Sequence, residues 1–77
     1  MQTFQIIFGK RVRYFRKRQK WSQEKLAEKT GLSRERISKI ETGKSGTHFQ
    51  HVDSIVRAFD VPFNEFFNDF EKDPPPD

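Results

Sequence analysis

A glycine between two short helical periods, in the stretch QEKLAEKTGLSRERISKIET over residues 23–42, constrains this chain more than any other feature. Leu26, Ala27 and Thr30 are three and four residues apart and therefore line one face of a helix. Ile37 and Ile40 do the same for a second helix. Between them, Gly31 can take the positive φ that ends a helix sharply and that a residue with a Cβ adopts only at a cost. Ser22 and Ser33 stand where a hydroxyl can cap the start of each helix. Ala27 is small where two helices must approach across a tight turn. The pattern predicts a helix-turn-helix with helices over about residues 23–30 and 34–42.

The flanks predict helices that support and cover this pair. Phe4, Phe8, Val12 and Phe15 form an amphipathic stripe along a first helix over about residues 3–18. Gly9 inside it costs about 1 kcal/mol relative to alanine, so either it permits a close helix crossing or the regular helix begins near it. Trp21 just before the Ser22 cap reads as an apolar plug over the start of helix 2. After the break at residues 43–46, Thr47-His48-Phe49-Gln50 has the form of a capping box. A fourth helix should start there, with Phe49, Val52, Ile55, Val56 and Phe59 on its apolar face. Asp60-Val61 ends it, and Pro62 suits the first position of a fifth helix running through Phe63, Phe66, Phe67 and Phe70. The expected fold is all-α, five helices in one domain over residues 1–70, followed by a frayed acidic and proline-rich tail over residues 71–77.

Charge divides the chain in two. Residues 1–47 hold thirteen Lys and Arg against four Glu, whereas residues 48–77 hold two against seven acidic residues. Ordinary solvated helix faces would give such runs, but beside a helix-turn-helix they read as one side facing a polyanion and one turned away. Seven of the eleven residues 10–20 are cations. A basic amphipathic helix can also lie on a membrane, but here its apolar stripe is needed for the core. With no cysteine, disulfides and thiolate metal sites are excluded, so helix packing must supply the stability. The run FQIIF is too short for a signal peptide or a membrane span, and a cytoplasmic protein is expected.

WSQEKLAEKTG followed by LSRERISKIETGK resembles the helix-turn-helix of the Cro/cI-type (XRE) family of DNA-binding regulators. FGKRVRYFRK before it and GKSGTHFQHVDSIVRAFDVPFNEFF after it resemble the family's flanking helices, so the likeness covers residues 8–67. The resemblance implies a lambda-repressor-like fold and a sequence-specific transcriptional regulator, a repressor by expectation, whose third helix enters the major groove of double-stranded DNA. By the same resemblance, Arg34, Glu35 and Lys39 are base readers, with Arg36 beside them. The chemistry agrees: arginine donates two parallel bonds to guanine, and glutamate accepts from cytosine N4. Glu35 can instead pair with Lys39 on a solvated face. Gln23, Thr42, Lys44 and, less strongly, Ser22 match the family's phosphate-contacting positions, while the arginine at 16 and the glutamate at 41 match its structural ion pair.

Other constellations are weaker. His48 and His51 are one turn apart, but no third ligand is well placed, so no metal is expected. No phosphate loop, nucleophile elbow or catalytic carboxylate pair is visible, which argues against an enzyme and against a cofactor. Phe63, Phe66, Phe67 and Phe70 present more aromatic surface than five short helices easily bury, and such a patch marks an interface. Two copies meeting there would form a homodimer on a two-fold-symmetric operator. In the other reading Phe63 and Phe66 belong to the core, leaving Phe67 and Phe70 outside. The rival function is an antitoxin-type interaction module, with a toxin or other protein on this surface and DNA binding secondary.

Overall fold

In the computed structural model, residues 3–44, 48–70 and 72 are described, and they form α1 (Phe4–Arg18), α2 (Gln23–Thr30), α3 (Arg34–Glu41), α4 (Phe49–Ala58) and α5 (Phe63–Phe66). No strand occurs among the described residues. The turn chemistry explains the central pair. Ser22 Oγ accepts from the Lys25 N–H at 2.9 Å and Ser33 Oγ from the Arg36 N–H at 3.0 Å, so each helix starts on a filled cap. Gly31 ends α2 at φ 76°. The Thr30 hydroxyl donates to the Leu26 carbonyl at 2.9 Å and accepts from the Leu32 N–H at 3.3 Å, which holds the turn from inside.

Phe8, Val12, Leu26, Ile37, Ile55, Val56 and Phe66 are fully buried and draw all five helices into one core. Phe66 sits among four rings, with centroids 4.8 Å from Phe15, 5.0 Å from Phe67, 5.7 Å from Phe8 and 6.3 Å from Phe59. Trp21 stacks on Phe59 at 5.7 Å, so its indole closes the core beside the start of α2. Gly9 marks a close crossing. α1 is regular from Phe4 onward, and a Cβ on Gly9 would overlap the Ile40 carbonyl oxygen and lie 2.9 Å from that of Glu41.

The expected elements are displaced at the start of α4 and at both ends of α5, while α4 stops before Asp60 as expected. α4 begins at Phe49 with His48 at the cap position and no side-chain cap bond. Thr47, the cap the sequence suggested, lies outside the described residues. Phe49 is 78% exposed rather than on the apolar face, because the first turn of α4 projects beyond the core that Val52, Ile55 and Val56 reach. α4 ends at Ala58, with Asp60 taking the left-handed conformation at φ 56° that a short polar side chain tolerates. Pro62 is the cap of α5 instead of its first residue, its carbonyl accepting from Glu65 and Phe66 at 3.0 Å.

α5 itself is a single turn, not a helix through Phe70. Asn68 and Asp69 favour turns, and Asp69 takes φ 50°. The reversal swings Phe67 and Phe70 back onto α1, with Phe70 5.3 Å from Phe4 and Phe67 6.2 Å from Phe8. Residues 71 and 73–77 of the expected tail lie outside the described residues.

Candidate nucleic-acid interface

The geometry of α3 starts with what holds its far end. Arg16 of α1 donates from Nε to Glu41 Oε2 at 2.6 Å and from an Nη to Glu41 Oε1 at 3.0 Å, with a further bond to the Trp21 carbonyl at 2.8 Å. Both residues are buried, so this bidentate pair works in a medium that screens it little. The Gln23 side-chain N–H donates to Glu41 Oε1 at 3.2 Å, tying the start of α2 to the end of α3. After Glu41 the chain closes in a Schellman turn. The Lys44 N–H donates to the Lys39 carbonyl at 3.0 Å and the Gly43 N–H to that of Ile40 at 3.1 Å, with Gly43 at φ 70°.

With Ile37 and Ile40 buried and Glu41 in the seam, the other side of α3 faces outward. Arg34, Glu35 and Lys39 are exposed and Arg36 is half-buried. Lys39 Nζ lies 3.5 Å from Glu35 Oε1, an exposed i,i+4 pair worth a few tenths of a kcal/mol. So loose a pair can open to let both side chains reach elsewhere. Arg36 lies toward the start of α4, where burial and then the charges of Arg36 and His48 hold the His51 imidazole below the ordinary histidine range. His48 and His51 meet edge-to-face at 5.3 Å.

A helix-turn-helix family model matches residues 12–66 of the chain. The chain belongs to the XRE family of DNA-binding regulators. It is 34% identical over 59 residues to the competence pilus inhibition repressor of Acinetobacter baylyi, covering 77% of this chain and 54% of that protein. It is 36% identical over 67 residues to an uncharacterized transcriptional regulator in the ATPase CF(0) region of Rhodospirillum rubrum, covering 87% of this chain and 62% of that one. Control protein C.MunI of a Mycoplasma species is 31% identical over 74 residues, covering 95% of this chain and all of the relative. The chain thus spans little more than half the length of the first two relatives. The family is one of regulators, not of enzymes. Among the described residues no helix is long and apolar enough to cross a membrane.

For an XRE domain, the positions expected to hold phosphate differ in what they have left to give. The Gln23 amide spends one N–H on Glu41 and keeps a second donor. Ser22 Oγ accepts from Lys25 and keeps its O–H. Lys44 is exposed just beyond the Schellman turn. The Thr42 hydroxyl is the exception, since it donates back to the Ser38 carbonyl at 3.0 Å, with the Lys39 carbonyl at 3.2 Å. A phosphate oxygen can only accept, so Thr42 must break that bond to contribute.

The expected aromatic surface also needs correction. Phe66 is fully buried and belongs to the core, because the reversal after α5 presses it between Phe8 and Phe15. Phe63 is 40% exposed, and Phe67 and Phe70 are half-buried. Phe4, expected inside, is 45% exposed and joins them, stacked on Phe67 at 6.5 Å. Arg11 was missed as an individual. It falls among the cations of α1 in the sequence, yet it is 7% exposed and bonded to the C-terminal segment. The available signal was its register, four residues after Ile7 and four before Phe15, on the apolar side of the helix.

Proposed function

We propose that this chain represses transcription by reading a two-fold-symmetric operator as a homodimer, with α3 of each copy in the major groove. The observation that carries this is the outward trio Arg34, Glu35 and Lys39, with the half-buried Arg36 beside them, on a helix whose opposite side is locked by the Arg16–Glu41 pair. Arginine can donate to guanine O6 and N7, and glutamate can accept from cytosine N4. Gln23, Ser22 and Lys44 set the register on the phosphates, with Thr42 joining after it gives up its helix bond. A second copy docks through Phe4, Phe63, Phe67 and Phe70, placing two recognition helices in successive grooves about 34–36 Å apart. The site of action is the cytoplasm.

Selection of bound duplexes from a randomised pool at near-physiological salt tests the reading. The expected result is a two-fold-symmetric motif with half-sites about one helical turn apart. No enrichment would overturn operator reading and favour a protein partner on the aromatic surface. Phe67→Asp should shift the protein to monomer in sedimentation while its helical circular dichroism persists; a variant that stays dimeric would remove this surface from the interface.

A further inference from the structure

Among the described residues Arg11 is buried with no carboxylate oxygen bonded to its guanidinium, only backbone carbonyls, which is an expensive arrangement. Its guanidinium donates to the Phe66 carbonyl at 2.7 Å, the Asp69 carbonyl at 2.5 Å and the Lys72 carbonyl at 3.4 Å. It also lies 5.4 Å from the centre of the Phe70 ring. Its Nε is buried with no hydrogen-bond partner among the described residues. Burial lowers the guanidinium's pKa, offset in part by the nearby Asp69 carboxylate. A leucine or methionine between Ile7 and Phe15 would pack without these costs. What an apolar side chain cannot do is hold three carbonyls at once.

Those carbonyls belong to the stretch where the regular backbone ladder stops. α5 ends at Phe66, the Asn68 N–H reaches the Glu65 carbonyl only at 3.4 Å, and Asp69 is left-handed. Phe67 and Phe70, both half-buried, ride on this stretch and adjoin the exposed Phe4 and Phe63 in one partly exposed aromatic surface. That surface is built from both ends of the described chain, and Arg11 bonds one end to the helix that carries the other. We infer that Arg11 is a positioning residue for self-association: its fork fixes Phe66, Asp69 and Lys72 on α1 so that the aromatic surface is preformed for a second copy of this chain. The inference rests on the homodimer reading above. Preformed surface lowers the ordering cost that association would otherwise carry.

The test compares the full-length wild type with Arg11→Lys and Arg11→Met by amide hydrogen exchange, thermal melting and sedimentation equilibrium. Lysine keeps the charge but lacks the planar fork, and it carries the test if Arg11→Met does not fold. The Phe67 and Asn68 amides should exchange about tenfold faster in Arg11→Lys, the loss expected when charge-assisted bonds go. Ile37 and Leu26 amides should keep their protection, and the dimer dissociation constant should rise about tenfold. Unchanged exchange at Phe67 and Asn68 overturns the inference. So does faster exchange with an unchanged dissociation constant, which would leave Arg11 a structural role alone. A wild type that sediments as a monomer overturns the homodimer reading and the second-copy part together, while exchange still decides whether Arg11 holds the segment.

Discussion

α1 meets the rest of the molecule along two seams, and each is built around an arginine. At one, Arg16 grips Glu41 at the end of α3, with Gly9 letting the backbones close. At the other, Arg11 grips the carbonyls after α5. The first pairs opposite charges, so losing either partner strands the other in a buried place. The second pairs a charge with neutral dipoles, and its loss leaves carbonyls that water can reach once the segment loosens. The difference teaches that one residue type on one helix can lock a surface firmly or hold it adjustably, depending on what it binds.

The largest effect should come at the first seam. Arg16→Met should lower the unfolding free energy in urea by about 3–5 kcal/mol, because Glu41 keeps its charge and loses its fork. Adding Glu41→Leu should recover part of that loss, since removing both charges removes the stranded one. A double variant no more stable than the single would show that the seam acts through shape rather than charge. Gly9→Ala comes next. Alanine favours a helix by about 1 kcal/mol, yet its methyl meets the Ile40 carbonyl oxygen, so a net loss of about 1–3 kcal/mol is expected. A stabilised variant would mean that α1 and α3 have room to separate.

How much of this was legible follows from what each feature binds. The caps at Ser22 and Ser33 and the turn at Gly31 answer to groups within three or four residues, so the sequence carries both partners side by side. Arg16 and Glu41 were legible through the family pattern. For Arg11 the register showed the side of the helix but not the partners, because its acceptors are backbone carbonyls 55 to 61 residues away, and every residue has a carbonyl. Phe49 and Phe66 were misplaced for a related reason. Periodicity marks an apolar face, but only the packed partner decides whether the first turn of α4 reaches the core or where α5 stops.

Smaller effects sharpen the contrast by leaving both seams intact. Arg34→Ala should cost about 1–3 kcal/mol in DNA binding and relax preference at one base pair, with stability unchanged, read by fluorescence anisotropy on a set of single-base variants. An unchanged motif would remove Arg34 from the readers. The last prediction concerns pH. The His51 imidazole is held below its ordinary value in the folded state, so the unfolded chain takes up the proton more readily. Stability should therefore be complete above the ordinary histidine value of about 6.5 and decline as pH falls below it. Melting curves across that range should flatten in His51→Gln, and an unaltered slope would place the proton uptake elsewhere.

α3 holds eight residues, and its inward share is small: Ile37, Ile40 and Glu41 are buried while Arg34, Glu35 and Lys39 stand clear. If α3 reads DNA as proposed, the instructions for standing in the fold and the instructions for meeting a ligand are written on separate letters of one short word. Copies of this gene could drift at the outward letters and acquire new targets without first risking collapse. The same separation lets an experimenter transplant an outward set from a relative and keep this scaffold beneath it.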